Sequence, residues 1–320
     1  MFQSDVNMHV FQNTLILALH AALFFSGCVP AKKPEAEVLP SAEASAESSA
    51  EPAATAEETA QPGTFLQYRT EELPVETESK YIYGHAFIPD SGKDSYPTVI
   101  ICHGIGNDHS HTDYIGMMLA ERGIAAYTFD FCGGGENSES SGDFLQMSVR
   151  TEADDLMDVT DYVRTLDFVD RNNLFLLGQS QGGYVVTEIA HMRQEDLRGI
   201  ILMFPAFNIN DLTAERYSAP EEVPETGVIF DQTVGRSYFL DAMAEDIEAD
   251  MRAYNGHVLL LHGSEDDIVP ITYSKRASEL FPDAQLITIE QASHGFFGEH
   301  AETAVNACVS FIHEHSFLNP

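Results

Sequence analysis

Positive charge is scarce in this chain: 16 lysines and arginines stand against 51 acidic residues in 320, for a formal net charge of −35. Nucleic acid is excluded as a partner on that ground, because phosphate binding draws on patches of Lys and Arg. The acidic excess favours solubility, and a solvated acidic shell explains it better than a specific cation site. Cysteine is scarce too. Four residues, so scattered, make no disulfide framework. Cys102 in an apolar run and Cys308 in a final helix read as core residues, whereas Cys132 opens the loop Cys132-Gly133-Gly134-Gly135 with nothing to activate its thiol. That loop lacks the spacing and the lysine of a phosphate cradle. Residues 29–62 show no repeat regular enough for a solenoid. His109 and His111 have no acidic or thiol partner spaced to close a metal site, so they read as loop histidines, and no metal or organic cofactor is implied.

What is present starts with an apolar run from Asn13 to Phe25, too short for a membrane span of about 20 residues and suited to a signal-peptide core. It ends at Ser26-Gly27-Cys28, which resembles the lipobox of bacterial lipoproteins. The resemblance implies an exported protein, anchored to the cell membrane by a lipid on Cys28. Phe25 stands where leucine is usual, and no Lys or Arg precedes the run. An uncleaved anchor and a plain secretory signal are the alternatives. Residues 29–62 follow with seven glutamates and two lysines, a local charge of −5 and almost nothing to bury. Such a segment is expected to be a disordered, self-repelling tether. The division is therefore a signal at 1–28, a linker at 29–62 and one folded domain at 63–320.

Within that domain, 65–71 and 80–88 read as an antiparallel hairpin and Thr98–Cys102 as an apolar strand. Helices are expected at 114–121 and at 154–166, where Leu156, Val159, Val163 and Leu166 share a face and Thr151 with Asp154 makes a capping box. Asp154, Asp155, Asp158 and Asp161 read as its solvated surface. Further strands are expected at 124–129, 173–177, 200–204, 258–261 and 285–289, with helices at 274–280 and near the end. Alternating strands and helices define an α/β chain with a mostly parallel, doubly wound sheet. The interval at about 206–256 is longer than a connection needs. It is either a lid or a helical insertion that only packs on the surface.

The strand at 173–177 runs into Gly178-Gln179-Ser180-Gln181-Gly182, followed by a segment of helical spacing. Strand, tight turn and helix around G-x-S-x-G is the context of a nucleophile elbow. A serine hydroxyl needs a base within reach and a group that orients the base. Candidates stand downstream in Gly263-Ser264-Glu265-Asp266-Asp267-Ile268-Val269-Pro270 and in Ser293-His294-Gly295-Phe296. Both follow strands and leave the sheet at the edge that would carry Ser180.

With His103-Gly104 after the third strand, these four ordered motifs make residues from about 64 onward resemble serine esterases of the α/β-hydrolase superfamily. The similarity is greatest to bacterial cinnamoyl/feruloyl esterases and prolyl-oligopeptidase-like hydrolases. It implies an eight-stranded α/β-hydrolase sheet with a lid insertion. It implies Ser180 as nucleophile, His294 as general base and Asp266, before the x-x-Val-Pro ending, as the acid, with Glu265 and Asp267 as solvated neighbours. The backbone N–H groups of Ile105 and Gln181 would form the oxyanion hole, and His103, Gly104, Gly178 and Gly182 would support the turns. The expected activity is hydrolysis of carboxylic esters, on small molecules or polymer side chains, with hydroxycinnamoyl esters suggested by the resemblance. A serine peptidase on the same residues and a catalytically silent binding protein are the alternatives.

Overall fold

The computed structural model describes residues 65–317, so the signal, Cys28 and the linker at 29–62 lie outside the described residues. Eight strands form one sheet: β1 (Tyr68–Glu72), β2 (Gly84–Pro89), β3 (Tyr96–Cys102), β4 (Ala125–Phe129), β5 (Val169–Gln179), β6 (Gly199–Met203), β7 (His257–Gly263) and β8 (Ala284–Ile289). They lie side by side as β1-β2-β4-β3-β5-β6-β7-β8. The β1–β2 and β2–β4 pairs are antiparallel and all others parallel. This is the expected α/β-hydrolase sheet.

The strands read as continuous apolar runs because both faces of the sheet are covered. In β3, Val99 and Ile101 enter one core and Ile100 and Cys102 the other; in β5, Phe175 and Leu177 oppose Leu174 and Leu176. Helices α1 (Asp113–Ala120) and α8 (Glu299–His315) supply Ile115, Leu119 and Val305 to the first core. Helices α2 (Val149–Val163) and α3 (Gln181–Ala190) supply Leu156, Val159 and Val185 to the second. Among the described residues no helix is long and apolar enough to cross a membrane.

Helix α2 departs from expectation at its start. Ser148, not Thr151, is the N-cap: its hydroxyl accepts the Thr151 N–H, while Thr151 Oγ1 accepts the Ser148 N–H at 2.9 Å. The helix therefore begins one turn early. A second correction follows from packing. Asp155 is buried rather than solvated, taking Lys80 Nζ at 2.9 Å and the Cys132 N–H at 2.8 Å; of the four aspartates, Asp154 and Asp161 are exposed and Asp158 is half-buried.

The interval at 206–256 is well structured. It holds α4 (Ile209–Arg216), a hairpin of Thr226–Ile229 with Gln232–Gly235, α5 (Arg236–Ala244) and α6 (Ile247–Ala253). The final helix before β8 is α7 (Thr272–Leu280). Where α2 and α3 meet α5 and α6, carboxyls lie out of water. Burial pushes Glu152 up to about 8, helped by repulsion from Asp155 and Glu188 and opposed by a hydrogen bond from Gln181. Burial likewise pushes Glu188 up to about 8, with Glu245 adding repulsion. Asp250 rises to about 7 through burial and Glu245. Carboxyls that hold protons more tightly in the folded than in the unfolded chain add stability at low pH, and it is lost as pH climbs from their ordinary values through the raised ones. For Glu152 that window runs from 4.5 to about 8, and the loss is on the order of a few kcal/mol. The melting temperature of the folded domain is expected to fall as pH climbs from about 4.5 to about 8, less steeply in Glu152→Gln. A melting temperature that rises across that interval refutes the burial argument.

Candidate active site

At the end of β5 the chain turns through Ser180, whose backbone sits at φ +51° and ψ −119°. A non-glycine residue there is strained and must be held by its surroundings. The Ser180 N–H donates to Met203 O at 3.0 Å, and its carbonyl accepts the N–H groups of Gly183 and Ala206 at 3.0 and 2.9 Å. The flanking glycines are steric requirements. A Cβ at Gly182 would stand 2.5 Å from His103 O, and one at Gly178 would run into Gly182 O.

The turn presents the serine hydroxyl to the loop after β8. Ser180 O–H donates to His294 Nε2 at 2.9 Å, and His294 Nδ1–H donates to Asp266 Oδ2 at 2.8 Å. Asp266 is buried in the loop after β7, whereas Glu265 and Asp267 on either side are exposed. Its Oδ1 accepts the Ile268 and Val269 N–H groups at 3.0 and 2.9 Å. Burial alone would raise its pKa, but hydrogen bonds from His262, His294 and Val269 hold it well below the usual carboxylate range. Sequence reasoning gave His262 no role, although it stands at the end of β7. Its Nε2 faces Val269 O at 2.8 Å and Asp266 Oδ2 at 3.2 Å, and its Nδ1 meets Ser274 Oγ at 2.7 Å. His262 thereby ties the acid loop to α7. The ring of Phe204, at 4.8 Å between centroids, meets His294 edge to face.

Gly104 brings a second loop against the serine, since a Cβ there would lie 3.1 Å from Ser180 Cβ. The N–H groups of Ile105, next in that loop, and of Gln181, first in α3, have no acceptor among the described residues. His103 bonds within the turn. It is fully buried, its Nδ1–H donates to Gly104 O at 2.9 Å, and its Nε2 accepts the Phe131 N–H at 3.1 Å. Burial lowers its pKa and keeps it neutral. The glycine loop at 133–135 braces from behind, where Gly134 O accepts the Gly106 N–H at 3.1 Å.

The two loop histidines separate, and each meets an aspartate that no spacing in the sequence pointed to. His109 Nδ1 meets the buried Asp130 at 2.8 Å, and His111 meets Asp108 at 3.3 Å. His109, His85 and Asp113 bring potential ligand atoms within 4.8 Å of one another. Within that cluster Asp113 Oδ1 takes Thr128 Oγ1 at 2.7 Å and lies 3.2 Å from His85 Nε2.

A cavity of about 410 Å³ opens over Ser180 and His294. Ile105, Phe204, Phe230, Ile268 and Phe297 give it apolar walls, and Asn107, Ser110, His111 and Tyr114 add uncharged or basic polar groups. Among the described residues no carboxylate lines it, in a chain of net charge −35. Phe230 comes from the 206–256 insertion, so that segment reaches the cavity.

Fold and site together define a serine hydrolase of the α/β-hydrolase superfamily, of the ester-hydrolase type. The serine aminopeptidase S33 family pattern matches residues 94–224. The protein YfhR of Salmonella typhimurium is 31% identical over 242 residues, covering 71% of this chain and 75% of its own, and YfhR of Escherichia coli is 27% identical over 244. The chain belongs to the α/β-hydrolase family that includes the YfhR proteins. Among solved structures, Est1E from Butyrivibrio proteoclasticus with ferulic acid bound is 25% identical. It superposes with a TM-score of 0.70 over 76% of this chain and 98% of that one.

Proposed function

We propose that the protein hydrolyses esters of uncharged, apolar or aromatic acyl groups through a covalent acyl-enzyme on Ser180. The observation that carries this reading is the hydrogen-bonded chain Ser180–His294–Asp266 at 2.9 and 2.8 Å, opening on a cavity without carboxylates. His294 takes the Ser180 proton at Nε2 as Oγ attacks the ester carbonyl, and Asp266 stabilises the imidazolium that results. The carbonyl oxygen becomes an oxyanion facing the N–H groups of Ile105 and Gln181. His294 returns the proton to the departing alcohol oxygen. It then deprotonates a water that attacks the acyl-serine, and the acid leaves as the serine recovers its proton. An aminopeptidase must hold a cationic amine, and among the described residues the cavity offers no carboxylate to pair with one. Hydroxycinnamoyl esters are the favoured members of the class, supported by the aromatic walls of the cavity and by the likeness to Est1E, solved with ferulic acid bound.

Initial rates of residues 63–320 on methyl hydroxycinnamates, short and long acyl esters and aminoacyl amides test the reading. Hydroxycinnamates are expected to have the highest kcat/KM, and amides none. Amide turnover above ester turnover overturns it. Export and lipid attachment at Cys28 complete the proposal. Radiolabelled fatty acid is expected to enter the full chain and not Cys28→Ser, and equal labelling of the two refutes the anchor.

A further inference from the structure

Gln181 contributes more than a backbone N–H at the start of α3. Its side chain is fully buried and bonded at both ends. The Nε2–H donates to Glu152 Oε2 at 2.8 Å, and Oε1 accepts the Tyr238 O–H at 2.6 Å; Met147 Sδ lies 3.5 Å from Nε2. Glu152 belongs to α2 and Tyr238 to α5 in the insertion, and their exposures are 1% and 0%. The Tyr238 hydroxyl at one end and the Glu152 carboxyl at the other hold both ends of the amide. The peptide it anchors is the one between strained Ser180 and Gln181, whose N–H no backbone ladder holds. A donor fixed before charge develops stabilises it without reorganising at that moment.

We propose that Glu152 and Tyr238 are positioning residues for the oxyanion hole, acting through the Gln181 side chain, so that the insertion is a working part of the site. This rests on the reading of Ser180 as nucleophile and of the Gln181 N–H as an oxyanion donor.

The charge around Glu152 adds a second consequence. Its Oε1 has no hydrogen-bond partner among the described residues. Asp155 faces it from its own helix, Glu188 from α3, Cys102 from β3 and Tyr238 from α5. The neighbouring cations are already engaged, Lys80 with Asp155 and Arg150 with Glu188 and Glu245. When Glu152 ionises, an unpaired negative charge appears behind the site of the forming oxyanion and opposes it.

The test compares wild type, Tyr238→Phe, Glu152→Met and Glu152→Gln on 4-nitrophenyl acetate. A fluorophosphonate counts competent serines, and a boronic acid reports binding of a tetrahedral anion. Tyr238→Phe and Glu152→Met are expected to lower kcat about tenfold or more and to weaken the boronate in parallel, with KM and the labelled fraction unchanged. Glu152→Gln keeps an acceptor, so it is expected to retain most of the rate that Glu152→Met loses and to lack the alkaline decline of wild type. Folded Tyr238→Phe and Glu152→Met proteins with wild-type kcat and boronate affinity overturn the proposal, as does a rate loss that only follows the labelled fraction. A wild type that the fluorophosphonate leaves unlabelled removes the underlying reading of Ser180, and the positioning role with it.

Discussion

Ser180→Ala is expected to lower ester turnover about 10⁵- to 10⁶-fold while the domain stays folded and still binds the product acid. The size follows from what the hydroxyl does. In the proposed mechanism it supplies the electron pair that forms the acyl-enzyme, and it is the hydroxyl that meets His294 Nε2 at 2.9 Å. Alanine keeps the Cβ that the turn at φ +51° already accommodates, so the strained backbone gains no new conflict. The N–H groups of Ile105 and Gln181 remain, and in serine proteases such donors with substrate binding leave a residual acceleration of about 10³ to 10⁴ over water. Activity therefore collapses without vanishing. The comparison also separates an enzyme from a silent binding protein, because product affinity measured by calorimetry is expected to be unchanged. Turnover equal to wild type would place the nucleophile elsewhere.

The motifs around that serine were legible in the sequence because their chemistry dictates local form. A serine on a sharp turn needs glycine on both sides, and Gly178 and Gly182 each stand where a Cβ would strike backbone. The strands were legible for a related reason: a sheet covered on both faces leaves runs such as Val99-Ile100-Ile101-Cys102 with no polar interruption. The choice of Asp266 over Asp267 came from the family resemblance, through the x-x-Val-Pro ending, and in the structure the backbone N–H groups of Ile268 and Val269 turn back onto Asp266.

What escaped the sequence lies where tertiary partners overrule local pattern. Glu152 and Asp155 look like surface charge on an amphipathic helix, yet both are buried. Their partners Gln181 and Lys80 are 29 and 75 residues away, beyond any window of periodicity. The start of α2 was missed because its first turn, Val149-Arg150-Thr151-Glu152, holds a single apolar residue and its cap is a serine outside the apolar stripe. Tyr238 and Phe230 carry no motif at all. Only the folded insertion brings one to the Gln181 side chain and the other to the cavity wall. His262 did carry a signal, standing at the end of a strand four residues before a carboxylate, but its bond to Asp266 becomes visible only once the loop closes.

Asp266→Asn is expected to lower kcat about 10⁴-fold, the cost of the corresponding change in a serine protease. The carboxylate accepts the His294 Nδ1–H at 2.8 Å, which leaves Nε2 bare to take the serine proton. An asparagine can keep its oxygen on the Ile268 and Val269 N–H groups, where Oδ1 now sits. Its amide nitrogen would then face His294 and donate to Nδ1, driving the ring proton to Nε2. In that tautomer the imidazole points a hydrogen at Ser180 and cannot act as its base. The same amide would meet the His262 Nε2–H, a donor now aimed at Oδ2 from 3.2 Å, so a small loss of stability accompanies the loss of rate. Asp267→Asn changes an exposed neighbour and is expected to leave kcat within about twofold of wild type. Steady-state rates of the two variants on one ester decide between the positions. Full activity in Asp266→Asn with loss in Asp267→Asn would move the orienting role one residue along the loop.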